Sequence, residues 1–330
     1  MTKRFDVVST GECLIDVLLQ GSQQTNAVQM VGNAGGAPVN VLAALTKLGC
    51  TAAYLGKLST DAFGKFLLRI IEKNNINTEG IVYTQDHTTL AMVSLNEKGD
   101  RDFSFYRENT ADVNYTAQEV NTDVILASKI FHFGSVSMVN DPSRTATLWA
   151  ARFARDNGVK VSFDPNLRPA LWGDVEAARP WIEEGLKLAD YVKVSEEELV
   201  FLTGKTDFRA GAKELLEKYP IAFLAVTLGA DGCACFAGEH SVYEPTYDTK
   251  CVDTTGSGDA CWGAMLSRLV AMEEQVQTLG EQELRELALF ANAAGSLCAS
   301  RYGAIFAMGT RQEIEACMNE VPRLASRIAK

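Results

Sequence analysis

Short apolar runs alternate with longer stretches whose apolar residues recur at helical spacing, and this alternation constrains the fold more than any other feature. FDVVSTG opens with a strand, PVNVLAALTKLG predicts a helix over 38–48 stopped at Gly49, and TAAYLGKLS is the next strand. DAFGKFLLRIIEKNN follows as a helix with Asp61 as its N-cap. KIFHFGS, VKVSFDP, YVKVS and IAFLAVTLG repeat the strand theme, and a helix-rich part begins near Gly258. Strands with so few polar positions need cover on both faces, which predicts a mainly parallel sheet between two helical layers, a three-layer α/β/α domain. The chain has 330 residues and no repeat or Pro/Ser-rich tether, so one domain over 1–330 is expected, and 47% hydrophobic residues suffice for its core.

Two segments break the alternation. Residues 12–34 mix polar and apolar residues without helical periodicity, and 89–107 read as a hairpin with its turn at Glu97–Asp100. Phe103 and Phe105 share one face of the second strand, while Asp102, Ser104 and Tyr106 point to the other. Both segments fit a separate small β layer, a lid, better than the main sheet. Such a layer can hardly bury two phenylalanines alone. A homodimer in which two lids cover each other's apolar face is therefore expected, the alternative being that the rings pack onto the chain's own site.

A net charge of −11 disfavours nucleic acid and anionic membrane as partners. The N-terminus lacks a signal-peptide core and no apolar run approaches the ~20 residues of a membrane span, so a cytoplasmic protein is expected. The 8 cysteines form no CxxC pair and the 3 histidines stand far apart, which reads as reduced, buried thiols rather than zinc ligands or disulfides.

The strongest local signal is Asp253-Thr254-Thr255-Gly256-Ser257-Gly258-Asp259, ahead of the apolar ACWGAMLSRLV. Gly256 and Gly258 let backbone N–H groups converge at the start of a buried helix, and the helix dipole adds positive potential there. The result is an anion hole. Asp259 beside it would repel a phosphate unless it accepts a proton from an attacking hydroxyl. An aspartate N-cap after a glycine turn is an equally good reading of the same residues. Gly204-Lys205-Thr206 resembles the end of a nucleotide P-loop, but its first glycine would fall at Leu199. Gly256-x-Gly258 is a near miss for a dinucleotide fingerprint, with Cys261 in place of the third small residue. Gly35-Gly36-Ala37-Pro38-Val39-Asn40 runs into a helix and offers close backbone approach and an amide; Asp16 stands where the first strand leaves the sheet. Each is also compatible with a loop that holds no ligand.

GECLIDVL, GGAPVNVLAALTKLG, FDPNLR, KVSEEELVFLTG, VTLGADG, VDTTGSGD and FANAA occur in the order found in ribokinase-like (PfkB-type) carbohydrate kinases, which the chain resembles over nearly its whole length. RDFSFYRENTAD, DPNLRPALW and RYGAI are most similar to fructokinases. The resemblance implies a ribokinase-like fold and ATP-dependent phosphorylation of a sugar, fructose to fructose 6-phosphate, with Mg²⁺. It makes Asp259 the base, with Gly256, Ser257 and Gly258 as the anion hole. Asp16, Gly35, Gly36 and Asn40 would hold the sugar, Arg107 would reach over it from the lid strand, and Arg168 would lie near the sugar or the transferred group. Thr227, Gly229 and Gly232 would border the ATP phosphates and Asn292 the adenine. Glu198 would act on Mg²⁺ through water, and a K⁺ ion near Asp253 is a further implication. Ser195 replaces the Asn often found three residues before that Glu, and FAMGT follows Ile305 where two prolines are usual. The alternatives are a kinase for 2-keto-3-deoxygluconate or another sugar or nucleoside, and, from a different class, a non-catalytic sugar-binding regulator on the same fold.

Overall fold

The computed structural model describes residues 3–21, 28–95 and 101–325. Its strands, in chain order, are β1 (Phe5–Thr10), β2 (Leu14–Gly21), β3 (Val28–Gly35), β4 (Ala52–Ser59), β5 (Ile76–Thr84), β6 (Leu90–Leu95) and β7 (Arg101–Tyr106). They continue with β8 (Ser128–Gly134), β9 (Lys160–Asp164), β10 (Tyr191–Ser195), β11 (Phe223–Thr227), β12 (Cys233–Ala237) and β13 (His240–Glu244). Nine of these build one sheet in the order β13-β12-β11-β10-β9-β8-β1-β4-β5. Every neighbouring pair from β11 to β5 is parallel, and β12 and β13 add an antiparallel hairpin at one edge.

The alternation of side chains along β1 shows how the layers form. Val7 and Val8 are both fully buried but join different clusters. Val7 packs with Leu42, Trp262 and Phe290 on one face, and Val8 with Phe131, Phe133 and Phe163 on the other. Adjacent residues of a strand point to opposite faces, so two apolar layers of helices are required, and the three-layer α/β/α architecture follows.

Helix boundaries obey local rules. The first helix is Ala37–Lys47, one residue earlier at each end than the spacing predicts, because Pro38 fits the first turn and Gly36 supplies a positive-φ entry. Asp61 caps the helix Ala62–Lys73 as expected, accepting from the Gly64 N–H at 2.7 Å. Among the described residues no helix is long and apolar enough to cross a membrane. All 8 cysteines are unpaired.

A second, four-stranded sheet in the order β3-β2-β6-β7 is the lid, assembled from the two segments that break the main alternation. Each segment contributes an antiparallel pair, and β2 and β6 join them in parallel. The turn expected at 97–100 and the side chain of Phe103 lie outside the described residues. Phe105 lines a cavity beneath the lid, whereas Tyr106 is 65% exposed on the outside.

Candidate active site

The chain runs from β1 outward to β4 and β5, then returns to β8 on the other side of β1. Loops leaving the carboxyl ends of strands diverge at such a reversal and open a crevice. A cavity of about 550 Å³ occupies it, with Phe105 of the lid above and the loops after β1, β8 and β9 and Lys193 of β10 below. A second cavity of about 400 Å³ lies on the side of β10 and β11. Thr254 and Gly258 line both, so the glycine turn is the wall between them.

Asp259 sits in the first turn of the buried helix Ser257–Met272 and is itself 8% exposed. It faces the larger cavity, and its Oδ2 accepts a hydrogen bond from Asn40 Nδ2 at 2.8 Å. Burial, then the charge of Asp164, raise its pKa, while Asn40, Lys193 and Arg168 pull it down. Gly263, one turn along the same helix, brings Asn40 into reach: a Cβ there would stand 2.6 Å from Ala44 Cβ and 3.1 Å from the Val41 carbonyl oxygen. Glycine in mid-helix costs about 1 kcal/mol relative to alanine. Here it permits the helix that carries Asp259 to press on the helix Ala37–Lys47 that carries Asn40. Asn40 Oδ1 and Ser257 Oγ are buried with no hydrogen-bond partner among the described residues. A buried polar atom left unpaired is costly, so ligand or water is expected at both.

The structure brings most of the sugar-side residues together. Asp16, Gly36, Asn40 and Arg168 line the larger cavity with Asp259. Gly35 lies against the carboxylate of Asp16, where a Cβ would meet Oδ2 at 2.0 Å. Arg168 is exposed at the rim, immediately before the short helix Pro169–Trp172. Arg107 stands lower than a side chain reaching over a sugar. It directly follows β7 at the root of the lid and is 6% exposed. Its Nε donates to Asp112 Oδ2 at 2.9 Å and its Nη1 to the Val136 carbonyl at 3.0 Å, because a buried guanidinium must satisfy its donors. Nη2 has no hydrogen-bond partner among the described residues.

On the other side of the glycine turn, Thr227, Gly229, Gly232, Ser257 and Asn292 line the smaller cavity. Asn292 Nδ2 is held by the carbonyls of Glu244 and Pro245, at 2.8 and 3.4 Å, which fixes the amide's orientation. Asp253 braces the turn: Oδ1 accepts from the Thr255 N–H and hydroxyl, and Oδ2 from the Gly303 N–H. Glu198 is buried, and both of its oxygens accept backbone N–H groups, from Leu167 and Ser195, at 2.7 Å. Burial and then Asp164 raise its pKa. Among the described residues no three His, Cys, Asp or Glu side chains cluster closely enough to cage a metal ion.

Three residues that the motifs left unassigned also line the larger cavity: Glu12, Asn166 and Lys193. Glu12 is 3% exposed; its Oε1 accepts from the Ala37 N–H at 2.9 Å and its Oε2 has no partner among the described residues. Burial raises its pKa to about 7. Asn166 holds a left-handed backbone with φ of 48°. Lys193 pairs with Asp164 at 2.8 Å. In the sequence the only hint of Lys193 was one charge inside the apolar run YVKVS, and Glu12 was overshadowed by Asp16 four residues on.

Comparison with known proteins agrees with this geometry. Residues 4–311 match the pfkB family of carbohydrate kinases. Fructokinase-1 of Zea mays is 40% identical over 311 residues, covering 93% of this chain and 96% of that protein. Probable fructokinase-5 of Arabidopsis thaliana is 39% identical over 316 residues, covering 94% and 97%. The crystal structure of fructokinase with bound ATP from Xylella fastidiosa superposes with a TM-score of 0.87 at 32% identity, over 96% of this chain and 98% of that one. Fructokinase from Vibrio cholerae O395, in a form with fructose, ADP and calcium ion, gives 0.83 at 28% identity, over 95% and 99%. With its ordered motifs, its lid and its glycine turn between two cavities, the chain belongs to the pfkB family of carbohydrate kinases and is fructokinase-like.

Proposed function

We propose that this kinase transfers the γ-phosphoryl group of ATP to the 6-hydroxyl of fructose, with Asp259 as the general base. The observation that carries the reading is the buried carboxylate of Asp259 at the turn that separates the two cavities, oriented by Asn40. Fructose would occupy the larger cavity, with hydroxyls on Asp16, Asn40 and the Gly35–Gly36 backbone. Arg168 lies at the rim, and Arg107 would reach the sugar only through Nη2. ATP would occupy the smaller cavity, with its phosphates toward Thr227, Gly229, Gly232 and the glycine turn and its adenine near Asn292.

In the transfer, Asp259 takes the proton of the sugar hydroxyl, and the oxygen bonds to the γ-phosphorus. The bond to the bridging oxygen breaks, and ADP leaves with that electron pair. The N–H groups of Gly256 and Gly258 would stabilise charge on the group in transit, whereas that of Ser257 already donates to the Thr254 carbonyl at 3.2 Å. Mg²⁺ would neutralise the triphosphate; Glu198 would hold its waters with lone pairs not used by Leu167 and Ser195. K⁺ beside Asp253 remains part of the proposal, as does a homodimer formed through the lids. The names of the relatives support fructose.

Arg168 at the rim favours one second reading, because a guanidinium there could pair with the carboxylate of 2-keto-3-deoxygluconate. Asp16 and Glu12 in the same cavity oppose it. The test is turnover on a sugar panel. The expected kcat/KM for fructose exceeds that for ribose and for the keto acid by at least about tenfold, or ~1.4 kcal/mol. A higher value for the keto acid transfers the assignment to that substrate, and no turnover with any sugar favours a regulator.

A further inference from the structure

Lys193 is a charged residue between Val192 and Val194, both fully buried, in the centre of the main sheet. Its Nζ donates to Asp164 Oδ2 at 2.8 Å, with the two side chains 8% and 2% exposed. Burial would lower its pKa, but Asp164, Glu198 and Asp259 more than offset this and leave it raised, so the ammonium stays protonated. A Cβ on Gly258 would stand 3.2 Å from Nζ. The ammonium therefore rests against the second glycine of the turn, where the two cavities meet.

An ammonium has three donors, and Asp164 accounts for one side-chain bond among the described residues. Lys193 lines the larger cavity, so the others are available there. A buried ion pair is also poor value as a purely structural device, since an apolar pair of similar size is often as stable. We propose that Lys193 is a catalytic residue: its ammonium binds a non-bridging oxygen of the phosphoryl group as that group passes from the nucleotide to the acceptor hydroxyl. Asp164 is the positioning residue that holds the ammonium beside Gly258. The cation also offsets a local excess of carboxylates, which would otherwise repel the incoming phosphate. This deepens the phosphoryl-transfer reading above and is independent of which sugar accepts the group.

The test uses the full chain with the sugar that the unaltered protein phosphorylates fastest, so a wrong choice of sugar leaves it intact. Lys193→Met alone strands a buried carboxylate, so the decisive variant is the double change Lys193→Met with Asp164→Asn, which removes both charges. Circular dichroism and calorimetric titration with ATP and sugar accompany the kinetics. The expected result is a folded protein that binds both ligands within a few-fold, with kcat lower by about 10²–10³-fold. Asp164→Asn alone, which keeps the ammonium, should lower kcat by no more than about tenfold. A double variant with near-normal kcat, or an equal loss in Asp164→Asn alone, overturns the proposal.

Discussion

Asp259 and Glu12 are both buried carboxylates, yet their surroundings set them different tasks. Asp259 receives Asn40 and faces Lys193, which limits how far burial can raise its pKa. Replacing it with asparagine should lower kcat by roughly 10²–10⁴-fold while both ligands still bind. Steady-state kinetics with titration calorimetry checks this, and near-normal turnover removes Asp259 from the base role. Glu12 has no such cation in contact; Arg107 acts on it only through space. A carboxylate whose folded pKa is raised to about 7 stabilises the fold below its unfolded pKa and loses that contribution as pH rises to about 7. Glu12→Gln should therefore show a smaller fall in Tm between pH 4.5 and 7.5 than the unaltered chain, by an amount equivalent to roughly 3 kcal/mol or less. Parallel melting curves for the two proteins would disprove it. The sequence made Asp259 visible because a carboxylate after two glycines is unusual beside an anion hole. It hid Lys193 and Glu12, because their meaning lies in neighbours distant along the chain: Asp164 for one, Ala37 and Arg107 for the other.

At the scale of elements, the site depends on how closely two helices touch. Gly263 lets the helix Ser257–Met272 lie against Ala44 and the Val41 carbonyl of the helix Ala37–Lys47. Gly263→Ala should force the pair apart, lengthen the bond between Asn40 and Asp259, and lower kcat about tenfold with a loss of about 1–3 kcal/mol in stability. Thermal melts and kinetics on one preparation measure both, and an unchanged kcat would show that the contact is not coupled to the base. Strand and helix order was legible because period-two and period-3.6 patterns are local. The parallel pairing of β2 with β6 was not, since two separate segments meet only in the folded chain.

For the whole molecule, the proposed assembly turns on what the lid presents. Phe105 faces the chain's own cavity, which is the alternative to the lid-on-lid burial expected for the phenylalanine face. What the lid shows to solvent instead is Tyr106 on β7 and, on its edge strand β3, Met30 at 62% and Val31 at 43% exposure. An edge with free backbone groups and apolar side chains is a ready template for pairing. Sedimentation should therefore give the mass of a dimer, and Val31→Lys should shift it toward monomer and raise KM for the sugar; a fully active monomer at working concentration rules the lid interface out. The division of the cavities has a consequence for descent. Every residue lining the smaller cavity lies at or after Ser195, whereas the lid strands, Asp16, Gly36 and Asn40 all precede Val113. On the proposed assignment of the cavities, drift in the early part of the gene can retune the lid side of the acceptor without touching the donor. A chimera joined after the lid would take its phosphate source from the later parent, while its sugar would answer to both, since Asn166 and Arg168 also line the acceptor cavity.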